Sequence, residues 1–176
     1  MTTEHQWTAP AVTRIDEPFV ADERTMLLGW LGWQRSTLLH KCAGLTGEQL
    51  AMRPLPATQM SLLGLIRHHT DVERVWLRRR LEGRNDMFPT YHDGERETAW
   101  SDLDPARAEE NYAALLAEWE ICDEVLARHD LDDLFETPRH GTMSCRWVVV
   151  HLIEEYARHN GHADLLREHI DGVTGS

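Results

Sequence analysis

Apolar residues recur at intervals of three and four positions in four stretches of the chain, each long enough for an amphipathic helix. The predicted helices cover these ranges: Asp22 to Ala43, Ser61 to Leu81, Asp104 to His129, and Thr142 or Ser144 to Ile170. Each range begins with Ser, Thr or Asp, the residue types that cap a helix by accepting a backbone N–H hydrogen bond. No stretch of useful length alternates between apolar and polar residues, so the pattern predicts no strands. The expected fold class is all-α.

The segments between the helices set the expected architecture. Residues 1–20 lack a regular pattern, so we expect an N-terminal arm outside a helical domain of residues 21–176. The connection 82–104 is rich in Gly, Asn, Asp and Pro and is long for a compact domain, which is typical of a lid or a crossover. Four amphipathic helices bury their apolar stripes most simply as a four-helix bundle, here with a long crossover between helices two and three.

Composition and charge narrow the range of partners. The chain has 176 residues and a formal net charge of −12, which disfavours nucleic acid because phosphate binding needs a basic surface. Arginines cluster at positions 78–80 and 84, but a solvated helix end explains them more simply than a phosphate site. No apolar run reaches the roughly 20 residues of a membrane span. Seven tryptophans exceed the needs of one core, so we expect a homodimer through helix faces.

The three cysteines, Cys42, Cys122 and Cys145, are widely spaced and form no CxxC pair. They predict no disulfide framework, and the expected location is a reducing, cytoplasmic one. Cys145 lies near the start of the last helix, where the helix dipole can lower a thiol pKa. A buried, unreactive thiol is nevertheless the simpler interpretation of each cysteine.

Glutamate and histidine are spaced for metal binding on the last helix. Glu155 and His159 stand four residues apart, which places their side chains on one helix face, roughly 6 Å apart. Helix two offers His68 on its apolar stripe and His69 beside it. One of these imidazoles, with Glu155 and His159, would provide three ligands for a divalent ion. A Glu–His pair at this spacing is usually a surface pair, but here apolar residues surround it, and buried ionised groups are costly unless they are paired or bind a metal.

Three further residues of the last helix are candidates for supporting or lining such a site. His162 lies three residues beyond His159, close enough to reach the mouth of the site. His151 lies four residues before Glu155 and could orient that carboxylate. Tyr156 is expected to line the adjoining cleft. For the two histidines, an ordinary hydrogen-bonded role is the simpler alternative.

Two motifs resemble a known family. The segment Ser61 to Trp76, with SLLGLIRH followed by ERVW, and the segment Leu152 to Asp164, LIEEYARHNGHAD, resemble the DinB-like (YfiT-like) metalloenzyme superfamily. Within it, the chain is similar to the actinobacterial branch related to the N-terminal domain of mycothiol-dependent maleylpyruvate isomerase. The resemblance implies a four-helix bundle with His68, Glu155 and His159 as metal ligands. It also implies a low-molecular-weight thiol, mycothiol, as cosubstrate.

These observations favour a metal-dependent enzyme that joins a small-molecule thiol to an electrophilic substrate, as an S-transferase or a related detoxification enzyme. Imidazole and carboxylate ligands suit zinc, nickel or iron, and zinc is the first choice. The alternative is a non-catalytic metal-binding bundle with a structural, sensory or dimeric interaction role. A third hypothesis is a metal-free helical protein that binds an apolar ligand.

Overall fold

The computed structural model describes residues 6–93 and 96–174, and most of these residues are helical. The helices are α1 Glu23–Cys42, α2 Gly47–Ala51, α3 Leu62–Glu73, α4 Ala108–Arg128 and α5 Cys145–Asp171. Helix α3 continues as a π-helical stretch over Arg74–Leu81, and a 3-10 turn at Pro105–Arg107 leads into α4. The predicted helical class is thus confirmed, and α1, α3, α4 and α5 correspond to the four predicted helices. Within the described ranges, no helix combines the length and apolarity that a membrane crossing requires.

Polar side chains hold the helices at their predicted starts. The caps are Asp22, Ser61, Asp104 and Ser144, each of which accepts a hydrogen bond from a backbone N–H two or three residues further on. At its other end, α5 stops before Gly172, whose φ of 79° lies in the left-handed region that glycine tolerates best. Local sequence is therefore sufficient to set where these helices begin and where α5 ends.

The prediction of no strands is wrong, because two short hairpins lie in the connections between helices. Strand β1 (His92–Asp93) pairs antiparallel with β2 (Arg96–Glu97), and β3 (Leu134–Thr137) pairs antiparallel with β4 (Gly141–Ser144). Strands of two and four residues are too short to show a readable alternation of apolar and polar positions. The hairpin β1–β2 lies in the long connection between α3 and α4.

Contacts between α3 and α4 show that these neighbours run in the same direction. In the π-helical continuation of α3, Arg78 pairs with Glu118 of α4, and further along both helices Glu82, directly after that stretch, pairs with Arg128. Two parallel neighbours cannot be joined by a tight turn, because the chain must return along the full length of the helix. This geometry explains why the connection between α3 and α4 is long.

Helices α1 and α5 also run in the same direction. Glu23 pairs with Arg146 near their starts, and Lys41 pairs with Asp164 nearer their ends. The buried faces of these two helices meet those of α3 and α4 in one apolar core, which includes Leu38, Leu65, Leu115 and Leu152.

The described part of the predicted arm lies against the helices. Ala9 is almost completely buried, and its N–H donates a hydrogen bond to the carbonyl of Leu45. Trp7 packs edge-on against Tyr112 of α4, with the ring centroids 5.8 Å apart. Three pieces of the predicted segments lie outside the described residues: 1–5 of the arm, 94–95 of the connection and 175–176 of the domain.

Candidate metal centre

The structure brings His68, Glu155 and His159 together between α3 and α5. One nitrogen or oxygen atom from each lies within 4.8 Å of the others. Both imidazoles present Nε2 to the same carboxylate oxygen, Oε2 of Glu155, at 3.6 Å. The two helices run in opposite directions here, since Trp76, later in the chain than His68, contacts His151, earlier than His159. We call His68, Glu155 and His159 the ligand cluster.

The members of the ligand cluster shift one another's pKa values. The neighbouring His159, and then His68, hold the pKa of Glu155 well below its usual range, so the carboxylate is ionised. Burial disfavours the charged form of His68, but Glu155 and Glu97 outweigh this effect and raise the pKa of the imidazole to about 9. The cluster therefore attracts a cation, either a proton on His68 or a metal ion in its place.

The atoms of the ligand cluster fit a divalent metal ion. The buried Nε2 of His68 has no hydrogen-bond partner among the described residues, and a buried polar atom left without a partner is destabilising. A metal ion placed between this nitrogen, the Glu155 carboxylate and Nε2 of His159 would satisfy all three groups. Three protein ligands leave a coordination position open, which distinguishes catalytic from structural zinc sites.

Glu97, in the long connection between α3 and α4, hydrogen-bonds to Nδ1 of His68, the ring nitrogen that faces away from Glu155. Its Oε1 accepts a hydrogen bond from Nδ1 of His68 at 2.6 Å. This hydrogen bond is the main cause of the lowered pKa of Glu97, so the carboxylate is the acceptor and the imidazole is the donor. A proton on Nδ1 leaves the lone pair of Nε2 facing Glu155 and His159, as a metal ligand requires. Glu97 was not among the predicted site residues, because the only signal for it in the sequence was the unusual length of the connection.

Two side chains of α3 fasten the connection that carries Glu97. Arg67 donates hydrogen bonds to three backbone carbonyls in the range 98–102. Asp71 accepts hydrogen bonds from two successive backbone N–H groups at positions 90–91. The hairpin β1–β2 is thus held against the side of α3 that carries His68.

Two clefts reach the ligand cluster from either side of Glu97. The first cleft, of about 470 Å³, reaches His68 and is lined by Trp76. The second cleft, of about 590 Å³, reaches His159 and is lined by Trp100. The indole of Trp100 lies 5.0 Å from His68 and 6.0 Å from His159 between ring centroids. The first cleft therefore gives a small molecule access to His68, and the second gives separate access to His159.

His69, the alternative ligand from the same helix, is packed beside the ligand cluster. Its ring is completely buried and stacks on Tyr156, with the centroids 3.8 Å apart. Burial, followed by the charge of His68, lowers the pKa of His69 well below its usual value, so the ring is neutral. The atoms that lie within 4.8 Å of one another come from His68 rather than His69. The geometry therefore favours His68 as the imidazole from α3.

The structure places Tyr156 beneath the ligand cluster and not at the mouth of a cleft, because its side chain is completely buried. The hydroxyl donates a hydrogen bond to Glu73 of α3 and accepts one from the indole N–H of Trp119 of α4, both at 2.8 Å. Arg35 of α1 donates two hydrogen bonds to the same Glu73 carboxylate. We call Arg35, Glu73, Tyr156 and Trp119 the buried polar network, and it joins the four long helices next to the site.

His162 and His151 flank the ligand cluster on α5. Nδ1 of His162 lies 3.3 Å from Nδ1 of His159, close enough for a hydrogen bond that orients the His159 ring. His151 packs against two tryptophan rings, one from α5 and one from the π-helical stretch. Its Nδ1 lies 3.7 Å from Glu154, which makes Glu154 rather than Glu155 its closest carboxylate partner. His162 is therefore the better placed of the two to support a ligand.

The three cysteines are free and buried, in agreement with the sequence analysis. Burial raises the pKa of Cys42 to about 12, and it also raises the pKa values of Cys122 and Cys145. Because the thiolate is the nucleophilic form, none of them is poised to attack a substrate at neutral pH. A reacting thiol at this site would have to come from a cosubstrate.

Comparison with known proteins relates this site to a family. A family model described as mycothiol S-transferase matches residues 26–172 of the 176, from α1 to the end of α5. Neither the curated proteins nor the solved structures with which the chain was compared give a match. The matched family is DinB/YfiT-like, so the resemblance noted in the sequence is confirmed. The chain belongs to the mycothiol S-transferase family.

Proposed function

We propose that this protein is a metal-dependent S-transferase that joins the sulfur of mycothiol to an electrophilic small molecule. The observation that carries the proposal is the ligand cluster, in which the buried Nε2 of His68 faces Glu155 and His159 without a hydrogen-bond partner among the described residues. Membership of the mycothiol S-transferase family supports the choice of thiol. The two clefts that meet at the cluster support a reaction between two small molecules.

His68, Glu155 and His159 would hold a divalent metal ion, with zinc as the first choice. Zinc accepts imidazole and carboxylate ligands in catalytic sites, although nickel and iron also accept this set. When bound, the ion would supply a Lewis-acid centre that favours the thiolate form of a thiol, which is the nucleophile. Glu97 holds the proton on Nδ1 of His68 and so keeps Nε2 available as a ligand.

In the transfer, the thiol sulfur forms a bond to an electrophilic carbon of the second substrate. The leaving group departs with the electron pair of its bond, and the thiol proton passes to solvent. The protein positions the two reactants through the first and second clefts, which hold them on different sides of Glu97. Trp100 covers His68 and His159 and limits the access of water from the side of the second cleft.

The test begins with protein purified without a histidine tag, because tag chromatography can load nickel. Elemental analysis identifies the bound metal, and mass spectrometry follows the conjugate that forms from mycothiol and an alkylating electrophile. We expect the protein to accelerate conjugation, chelation to abolish the acceleration, and added zinc to restore it. Equal acceleration by metal-free protein would contradict the proposal. A protein that changes its assembly on metal removal but never forms conjugate would have the non-catalytic role instead.

We further propose that residues 21–176 form one domain in which the four long helices make a four-helix bundle. The apolar core shared by these helices and the buried polar network that joins them support this arrangement. A chain that begins at residue 21 should fold with the helical circular dichroism of the full chain. An unfolded product would show that the arm is part of the domain.

We also propose that the protein acts in the cytoplasm as a homodimer. The three buried, unpaired cysteines support a reducing compartment. Trp147 and Val150 are apolar and exposed on the outer face of α5, which supports an interface between two copies. Light scattering during size-exclusion chromatography should give twice the chain mass of 20.4 kDa, and the single-chain mass would contradict the proposal.

A further inference from the structure

Three arginines that form no ion pair within residues 6–93 and 96–174 lie together next to the first cleft. Of the arginines at positions 78–80 and 84, Arg78 pairs with the buried Glu118 of α4, and Arg84 forms an exposed pair with Asp86. Arg79 and Arg80 form no ion pair with any described residue, and neither does Arg139 in the turn of the β3–β4 hairpin. We call Arg79, Arg80 and Arg139 the arginine cluster. Its lack of counter-charge stands out in a chain whose net charge is −12.

Aromatic rings hold two of these arginines in place. The guanidinium carbon of Arg80 lies 3.9 Å from the centroid of the Trp76 ring, and that of Arg79 lies 5.2 Å from the centroid of Phe88. Both arginines are half-buried. A guanidinium that rests on an aromatic face keeps its N–H groups free at the edge of its plane, where a planar acceptor can approach. Arg79 and Arg80 are therefore oriented donors and not mobile surface groups.

The arginine cluster lies where the first cleft meets a third one. Arg79 and Arg80 line the first cleft, which reaches His68. They also line the third cleft, of about 330 Å³, together with Arg139 and His140. Along a helix, positions 68 and 80 are about 18 Å apart. A long molecule can therefore touch the arginine cluster with one end and the ligand cluster with the other.

The carboxylates that line the first and third clefts are already engaged. Glu136 accepts a hydrogen bond from the hydroxyl of Thr142. Asp71 accepts hydrogen bonds from two backbone N–H groups of the long connection, and Glu97 accepts one from His68. None of these acids pairs with the arginine cluster, so no carboxylate in the described part of the chain supplies the missing negative charge.

The positive charges of the cluster oppose one another. Burial lowers the pKa of Arg80, and the charges of Arg79 and Arg139 lower it further. Like charges held together in a partly buried place destabilise the free protein. An anion bound among them removes the repulsion and accepts charge-assisted hydrogen bonds from the guanidinium groups. The arrangement therefore favours a small anionic ligand.

We propose that the arginine cluster binds an anionic group (a carboxylate, sulfonate or phosphate) at the far end of the electrophilic substrate. The assignment of this anion to the electrophile rests on the proposed S-transferase function. The aromatic lining of the first cleft, Trp76 and Phe88, would contact an apolar middle portion of the molecule. The preferred substrates are then elongated aromatic electrophiles that carry an anion remote from the reacting carbon.

A kinetic comparison tests the proposal with the metal-loaded protein, mycothiol and two matched electrophiles, a para-bromomethyl biphenyl carboxylate and its primary amide. We expect kcat/KM to be about 10-fold higher for the carboxylate, since charge-assisted hydrogen bonds are the stronger class. Arg80→Gln and Arg139→Gln should raise KM for the carboxylate and so remove its preference over the amide. The matched control is Arg84→Gln, which removes the same charge from an exposed arginine outside both clefts. Equal kcat/KM values for acid and amide in the unmodified protein would overturn the proposal.

Calorimetry separates this inference from the transferase activity, because it needs no turnover. The probes are the unreactive methyl analogues of the two electrophiles, and inorganic phosphate. Tighter binding of the acid than of the amide, lost in Arg139→Gln, supports the anion site even if no conjugate ever forms. Equal binding of acid and amide overturns it. Phosphate that binds more tightly than the organic acid would overturn the assignment to a substrate and indicate a site for free phosphate.

Discussion

The carboxylate of Glu155 is the contact that His68 and His159 share. Its Oε2 lies 3.6 Å from Nε2 of both imidazoles. The preceding residue, Glu154, is exposed, contacts neither His68 nor His159, and pairs with Arg158, which also lies 3.7 Å from Oε1 of Glu155. One step along α5 therefore separates a carboxylate that faces the ligand cluster from one that faces solvent, because successive residues of a helix point about 100° apart.

Glu155→Gln removes the charge of this side chain and keeps its shape. We expect the affinity for zinc to fall by at least about 10-fold, because a neutral amide is a weaker ligand than a carboxylate. Competition with a chromogenic chelator measures the affinity. Glu154→Gln is the matched control and should bind zinc as the unmodified protein does. Equal losses in the two variants would show that net charge, and not coordination, controls binding.

Glu97→Gln tests a residue that acts through His68. Without the carboxylate, the Nδ1 proton of His68 is held less firmly, and we expect zinc affinity to fall about 10-fold, as is usual for partners of metal-binding histidines. Asp93→Asn changes the same charge at an exposed position of the same hairpin and serves as the control. Unchanged zinc affinity in Glu97→Gln would mean that this hydrogen bond does not position the ligand.

At the scale of elements, α3 and the long connection meet closely at Gly64. A Cβ atom at this position would lie 2.8 Å from Cε3 of Trp100, which is closer than packed side chains allow. Trp100 in turn covers His68. On α5, a Cβ at Gly161 would meet no atom within 4 Å. An added methyl group would therefore be crowded at Gly64 and unobstructed at Gly161.

We expect Gly64→Ala to lower the free energy of unfolding by about 1 kcal/mol, because overpacking outweighs the gain in helix propensity. Gly161→Ala should raise it by about 1 kcal/mol through propensity alone. Urea denaturation of both variants measures whether the free energy of unfolding falls or rises. A gain in stability at both positions would show that Trp100 moves aside without penalty.

At the scale of the whole molecule, the buried polar network links α1, α3, α4 and α5 next to the ligand cluster. Arg35 and Tyr156 both bond to the buried carboxylate of Glu73, which leaves that charge fully paired. Removing one partner of a buried ion pair is strongly destabilising, so the geometry of the buried polar network resists distortion. We therefore expect the fold, and not a bound ion, to set the backbone positions of His68 and Glu155.

It follows that removal of the metal should leave the helical circular dichroism unchanged and lower only the thermal stability. At a free zinc concentration 100-fold above Kd, binding adds about 2.7 kcal/mol, which corresponds to a Tm rise of about 5–10 °C for a chain of this size. Calorimetry with and without zinc measures the shift, and Glu155→Gln should show a much smaller one. An unfolded metal-free chain would contradict a preformed site and favour a structural metal.

Local features were readable from the sequence because they depend on residues within one helical turn. The caps Asp22, Ser61 and Ser144 and the four-residue spacing of Glu155 and His159 are of this kind. The hairpins were not readable, because strands of two to four residues give no periodic signal. From spacing alone the choice between His68 and His69 stayed open, since adjacent helical positions differ only in which neighbour they face, and only the family resemblance pointed to His68.

By itself, the sequence determined the helical class, the helix starts and the residue types of the ligand cluster, since these follow from short-range chemistry. Only the tertiary structure decided that Glu97, 29 residues away in the chain, holds the His68 ring. It also decided that Tyr156 is buried below the cluster and that Arg79 and Arg80 face a cleft. The physical reason is that a helix presents a side chain in every direction, and only the packing of its neighbours determines which directions lead to a site.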